Sequence, residues 1–361
     1  MSNYRTSKLF ALKSYNADAV ELIPITISDP ISRLLIQFEG QNVGSTPTVA
    51  HPAACIKKIE LVDGSDVLFS LDGLEAYALQ FYHTKTLPSD YLIYLNDNWF
   101  HVTFKLDFGR WLWDPDLALD PKRFNNLQLK IETDQDAGGC QPDNSKLQVM
   151  AAVFDGKSVS PAGMLTARRI KQYTMGSASH EYTDLPTDRK IRKLMIKALK
   201  VGTELCQTMD KIKLSEDFDK KVILDNSPDE IDRLYPEENA LYEEGFYAAA
   251  RDIADDYFHV TPSDRGQVVA NQWATTISAY LSTYGIVGMR TRVRSSASIN
   301  FNAIARGFNP CSTVSIPLGD EWDPADWLDP SGLKQLRLDL LSFSGGSGSN
   351  AEIVVQQYRP Y

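Results

Sequence analysis

WDPDLALDPKRFNNLQLKI, residues 113–131, and WDPADWLDPSGLKQLRLDL, residues 322–340, are one pattern written twice. Trp113 matches Trp322, Pro115 matches Pro324, Leu119 matches Leu328, Pro121 matches Pro330 and Leu129 matches Leu338, every pair 209 residues apart. A constant offset across turn and core positions marks one supersecondary unit used twice. Asp114-Pro115 and Asp323-Pro324 read as helix starts, with Asp as N-cap and Pro in the first helical position. Asp120-Pro121 and Asp329-Pro330 then close the turn and send the chain into a strand. The indole of Trp113 or Trp322 is placed to cover the turn and seal one end of a sandwich. Trp322→Ala is therefore expected to impair folding or assembly.

Outward from this unit the duplication continues. Leu194-Met-Ile196 repeats Leu34-Leu-Ile36 at an offset of 160, and Lys211-Ile-Lys-Leu214 repeats Lys58-Ile-Glu-Leu61 at 153. Leu224-Asp225 and Tyr235 follow Leu71-Asp72 and Tyr82 at that same 153. Three anchor blocks in the same order make two tandem copies, and growth of the offset to 209 puts an insertion of 56 residues in the second.

In the first copy, short alternating runs at 33–38, 58–61, 67–71, 91–95, 99–108, 127–131 and 147–154 read as strands with turn signals between them, the pattern of a β-sandwich. Asp63-Gly64 supplies a hairpin turn, and Leu74, Tyr77, Ala78 and Phe81 predict a short helix over 73–82. Residues 1–30 read as an N-terminal arm, 31–165 as the first sandwich, 166–188 as a polar linker, and 189–361 as the second sandwich carrying an insertion at 236–321. Within the insertion, the stripe Tyr242, Phe246, Ala249, Ile253, Tyr257 predicts a helix over 237–258. Strands are expected at 267–273, 277–284 and 289–293. The chain closes with a hairpin, 336–343 and 353–358, around GGSGSN.

A chain of 361 residues is long enough for two domains. Its net charge of −10 argues against a surface devoted to nucleic acid. The first residues lack the apolar run of a signal peptide, and no stretch approaches the roughly 20 apolar residues of a membrane span. Four scattered cysteines suit free thiols rather than a disulfide framework.

Chemistry has few candidates. Asp114 with Asp120, or Asp323 with Asp329, could serve as the carboxylate pair of a glycosidase. The duplication favours a fold-building corner, because a corner is needed twice and a catalytic pair is not. The five histidines lack metal-ligand spacing, and 345–349 lacks the final Gly of a nucleophile elbow and the Lys of a phosphate loop. One run stands out in an acidic chain: Arg168, Arg169, Lys171, Arg189, Lys190, Arg192, Lys193, Lys197 and Lys200. It suits either a polyanion-facing patch or a strand and linker paired with acids elsewhere, and the scarcity of interleaved aromatics favours the second.

Two tandem eight-stranded sandwiches with a large insertion in one and no catalytic motif resemble the double jelly-roll major capsid proteins of tailless icosahedral viruses, the PRD1–adenovirus lineage. Residues 104–131 and 314–340 carry the resemblance, each a strand, a Gly/Pro/Trp turn, a Leu-rich proline turn and a second strand. The resemblance implies a structural, non-enzymatic virion protein, made and assembled in the host cytoplasm, without cofactor or metal. Three chains would associate through their sandwich sides as a pseudo-hexameric trimer, since a closing heterologous interface builds rings. Neighbouring capsomers and penton or minor capsid proteins are the implied partners in an icosahedral shell around the genome. The insertion would form an outward tower or an intersubunit clamp. The arm and the basic residues Arg168, Arg169, Lys171, Arg189, Lys190, Arg192 and Lys193 are candidates for inner-face contact with genome or an internal membrane. The rival reading is a tandem jelly-roll carbohydrate-binding or glycan-processing protein, supported by the paired aspartates and six tryptophans.

Overall fold

The computed structural model describes residues 4–42, 44, 49–155, 159–251, 254–272 and 281–361. Its first half runs β1 (Tyr4–Tyr15), β2 (Val20–Pro24), β3 (Ile31–Asn42), β4 (Ile56–Asp63), β5 (Asp66–Leu71), α1 (Gly73–Thr84), β6 (Leu92–Ile93), β7 (Trp99–Asp107), β8 (Leu127–Thr133) and β9 (Cys140–Phe154). The second half runs β10 (Gly163–Thr174), β11 (His180–Asp184), β12 (Ile191–Leu199), α2 (Leu205–Thr208), β13 (Met209–Glu216), β14 (Lys221–Asn226) and α3 (Pro228–Leu234). An insertion follows with β15 (Tyr242–Ala250), β16 (Asp255–His259), β17 (Asp264–Gln272), β18 (Leu281–Thr283), β19 (Arg290–Ser295) and β20 (Ile299–Phe308), before β21 (Thr313–Pro317), β22 (Leu336–Ser342) and β23 (Asn350–Pro360).

Strands alternate between facing sheets, so each half is an eight-stranded jelly roll. The first stacks β1-β9-β3-β7 on β2-β8-β4-β5, and the second stacks β10-β23-β12-β21 on β11-β22-β13-β14. Alternation drives the packing. In β3, Leu34, Ile36 and Phe38 are buried, as are Phe100, Val102, Phe104 and Leu106 in β7, so period-two apolar faces meet across the sandwich. The same strand order in both halves carries the offsets through: β3 and β12, β4 and β13, and β8 and β22 begin 160, 153 and 209 residues apart. Between the halves, β5 lies parallel to β10 at the bridge Arg168–Ser70, joining two of the four-stranded layers into one eight-stranded sheet.

Several expectations need correction. The stretch read as an arm contains β1 and β2, which pair with β9 and β8 far along the chain. The stretch read as a linker contains β10 and β11, paired with β23 and β22. Residues 336–342 and 350–360 are not a hairpin, because consecutive strands here enter opposite sheets. The helix expected over 237–258 is two strands. Tyr242 and Phe246 are four apart, which fits period two as well as 3.6, and pairing with β20 and β16 with β19 selects the strand. Ile253 and 273–280 lie outside the described residues. The helix expected at 73–82 is α1, closed by an Asp72–Glu75 capping box.

The insertion leaves the second jelly roll but packs on the first. β15 runs parallel to β6, the Tyr242 ring meets Phe81 edge-on at 5.1 Å, and the buried His51 ring bonds Glu244 at 2.9 Å. Its buried aromatics Phe246, Phe258 and Phe301 join the hydrophobic core of the first sandwich, while the second sandwich keeps a separate core.

Candidate functional site

The four repeated aspartates do the same local work. Asp114, Asp120, Asp323 and Asp329 each accept a bond from the backbone N–H two residues on, at 3.0, 3.2, 2.9 and 3.1 Å. Each following proline fixes φ and lacks an N–H to compete, so an Asp-Pro step closes itself as a tight turn. Pro121 opens a single 3-10 turn, Pro121–Arg123. Pro115 and Pro324 start no helix, and the second Asp-Pro step of each copy follows six positions after the first. A glycosidase acid needs a raised pKa. Burial alone would raise that of Asp114, but Arg110, which grips it through Nε at 2.7 Å and Nη2 at 2.9 Å, holds it below the carboxylate range. Asp329 is also held low, by its bonds to Ser331.

The tryptophans have diverged. Trp113 takes a positive φ of 71° and stacks on Tyr4 with ring centres 4.3 Å apart, closing the end of the first sandwich. Trp322 is 54% exposed and seals nothing, which corrects the expectation placed on it. The sealing residue of the second copy is Trp327, which sequence reading passed over. It is 2% exposed, packs with Leu117, Leu165 and Tyr358, and donates from Nε1 to the Asp320 carbonyl at 2.8 Å. Its signal was a break in the repeat, since the first copy has Ala118 there. Leu117 belongs to the first turn and Leu165 to β10, so Trp327 fills the joint between jelly rolls. Trp322 instead faces solvent beside the exposed Trp111, rings 5.9 Å apart.

The basic run splits in two: Arg192 and Lys193 point inward, while Arg168, Arg169, Lys171, Arg189 and Lys190 are half-buried and hold acceptors of this chain. Arg192 and Lys193 are fully buried and Lys197 nearly so. Lys193 Nζ reaches Glu238 at 2.7 Å, Glu321 at 2.5 Å and the Tyr82 carbonyl at 3.0 Å. Arg192 donates to Gln356 at 3.0 Å and to His83, whose pKa burial and Arg192 press well below the imidazole range, so the ring accepts. Arg169 meets Glu352 at 3.1 Å and Asp72 at 3.3 Å. Arg168 bonds Gln357, Lys171 bonds Glu181, Arg189 lies 3.5 Å from Asp188, and Lys190 holds the Pro324 carbonyl. Apart from Arg189, whose acid is the adjacent Asp188, and Lys171, whose acid is 10 residues on, these cations answer acceptors that are distant in sequence.

Asp72, Glu75 and Glu352 form a carboxylate triad of metal-site dimensions. Lys197 already occupies it, at 2.9 Å from Asp72 and 2.6 Å from Glu352. Burial pulls the Lys197 pKa down, but its carboxylate neighbours, Asp72 and Glu352 foremost, outweigh that and raise it. Burial and the neighbouring Asp72 push Glu75 well above the carboxylate range.

Taken over the whole chain, this arrangement has solved counterparts. The Sulfolobus Turreted Icosahedral Virus structure superposes with a TM-score of 0.62 at 12% identity, covering 99% of this chain and 91% of that chain. The major capsid protein P2 from bacteriophage PM2 gives 0.56 at 12%, covering 99% and 98%. The PBCV-1 virus capsid gives 0.55 at 9%, covering 99% and 94%. The fold is the double jelly roll of viral major capsid proteins. No family model and no curated protein matches the sequence.

In this double jelly roll the root of the insertion holds a second buried acid pair. Asn309 Nδ2 bridges Asp232 at 3.0 Å and Asp264 at 2.8 Å, and Asp264 also accepts from the Leu205 N–H of α2. Burial raises Asp232 to about 7 and Asp264 to about 6. Glu238 goes the other way: burial opposes, but Lys193 and Lys85 win and hold it at about 2. Raised carboxylates cost stability when ionised, and that cost disappears as pH falls through their folded values. A depressed carboxylate stabilises above its ordinary value, and that contribution is lost as pH drops toward about 2. His83, kept neutral by burial, opposes this below about pH 6.5 with one proton against two for the acids, so the melting temperature is expected to rise from about pH 8 to about pH 5 and to fall below about pH 4. A calorimetric maximum at pH 8 would contradict the assignment.

Proposed function

We propose that this chain is a major capsid protein that self-associates as pseudo-hexameric trimers in an icosahedral virion shell. Carrying this reading is the end-to-end superposition on major capsid structures, with 99% of this chain matched. Physical support comes from the duplication. One polypeptide brings two jelly rolls of equal strand order, so three chains offer six similar building faces, and a head-to-tail contact that closes is enough to make the ring. Genome, membrane, penton and minor-protein contacts belong to the same proposal, with Arg192, Lys193 and Lys197 already committed to buried partners within the chain. The glycan-processing alternative loses its carboxylate pairs to turn formation.

Light scattering on the purified protein is expected to give three times the 40.4 kDa chain mass, or larger assemblies. A species that stays at one chain mass across concentrations sinks the proposal.

A further inference from the structure

The chain contains one copy of the joint between jelly rolls, and the strand registers say what a second copy is made of. In β9, Ala152 faces Arg33 on one side and Thr6 on the other; in β23, Gln356 faces Lys193 and Ala167. Arg33 and Lys193 are partners in the repeat, so Thr6 corresponds to Ala167, Ser7 to Arg168 and Lys8 to Arg169. The equivalence holds in detail, because the register slips between Lys8 and Phe10 in β1 and between Arg169 and Lys171 in β10. On the other side, Ile59 faces Leu71 and Ile212 faces Asn226. Ser70 therefore corresponds to Asp225, Asp72 to Ser227 and Glu75 to Glu230, which corrects by two residues the sequence match of Leu224-Asp225 to Leu71-Asp72. Both of the latter pairs are capping boxes at a helix start.

Inside the chain, β5 lies beside β10 and Arg169 points its charge at the Asp72–Glu75 box. The counterparts, β14 and β1, are terminal strands of their sheets with no neighbour on the outer side among the described residues. Their side chains are correspondingly open. Leu68 in β5 is fully buried, but its counterpart Ile223 is half-exposed and the adjacent Val222 is 46% exposed. Leu165 in β10 is fully buried, whereas its counterpart Tyr4 is 37% exposed. Lys8 is exposed and makes no ion pair among the described residues. An open strand edge with apolar neighbours is a ready template for another chain.

We infer that β14 of one chain docks parallel to β1 of the next, Asp225 beside Ser7, with Lys8 directed at the Ser227–Glu230 box. The interchain joint thus repeats the intrachain one, with lysine in the place of arginine and an acidic helix start in the place of an acidic helix start. Three such contacts close the ring, and each chain gives one edge and receives the other. This rests on the trimer reading, and it names the surfaces that reading requires.

The test is a disulfide trap. Adjacent parallel strands lie about 4.8 Å apart, inside the Cα range of a disulfide of about 4.4–6.8 Å. The double variant Ser7→Cys with Asp225→Cys is expected to oxidise to covalent dimers and trimers on a non-reducing gel, while either single variant stays monomeric. If light scattering finds trimers but the pair does not cross-link, or Ser7→Cys alone does, the joint is wrong and the trimer survives. Protein that is monomeric throughout overturns both. As a check free of new thiols, Lys8→Glu is expected to weaken trimer association at least about tenfold, and Lys8→Arg to leave it unchanged. Equal behaviour of the two overturns the role given to Lys8.

Discussion

Trp327→Ala is expected to destabilise the protein by about 3–5 kcal/mol, the range for removing a buried large aromatic, and Trp322→Ala by under about 0.5 kcal/mol, as for an exposed side chain. The two occupy the same turn, five residues apart, so propensity and local backbone are nearly common to both and the contrast isolates burial. Truncating Trp327 opens a void lined by Leu117, Leu165 and Tyr358 and leaves the Asp320 carbonyl without its indole donor. The void lies between two rigid sandwiches, whose strands cannot close over it without breaking register. Trp322 offers its ring to water and to Trp111, and its loss leaves no cavity. Urea midpoints at constant slope measure both. Equal losses, or a larger one for Trp322, would return the sealing role to the residue the repeat first suggested.

The duplicated blocks were legible because they sit where chemistry is local. Asp-Pro steps close turns with their own side chains, and Leu34, Ile59 and Leu129 sit on strands whose alternation needs no knowledge of the partner. β1 and β10 were illegible for the opposite reason. β1 is an edge strand with a mostly exposed outer half, so Leu12, Lys13 and Ser14 show no apolar alternation, and its partner β9 lies over a hundred residues away. β15 failed because its Tyr242–Phe246 spacing satisfies two periods at once, and only a sheet neighbour breaks the tie.

The basic run shows the same limit for sites. Its sign was readable, but its direction was not, because Glu238 and Glu321 come from the two ends of the insertion and Asp72 from the other jelly roll. A run of cations in sequence looks like a surface until the fold delivers the acids. The repeat helps more where it breaks: Trp327 opposite Ala118 and Lys8 opposite Arg169 are the places where the two copies took different neighbours.

Glu238→Ala is expected to cost about 3–5 kcal/mol, the range for removing one partner of a buried ion pair. The Glu238 side chain is buried where the insertion leaves α3, and it meets cations from both sides: Lys193 in the second jelly roll and Lys85 just past α1 in the first. It also accepts from the Ser315 hydroxyl on β21. Deleting it leaves Lys193 fully buried with Glu321 as its remaining carboxylate, and Lys85 without an ion-pair partner among the described residues. Lys85 already feels this strain, since burial and Lys193 depress it to about 8. Without Glu238 it loses the contact that kept its pKa from falling further. Pairing Glu238→Met with Lys193→Met separates charge from shape, because an apolar pair of similar volume often costs little where an orphaned charge costs much. The double variant is therefore expected to be more stable than Glu238→Ala by calorimetry. If the single variant loses less than about 1 kcal/mol, or the double loses more than the single, the network does not tie the insertion to the joint.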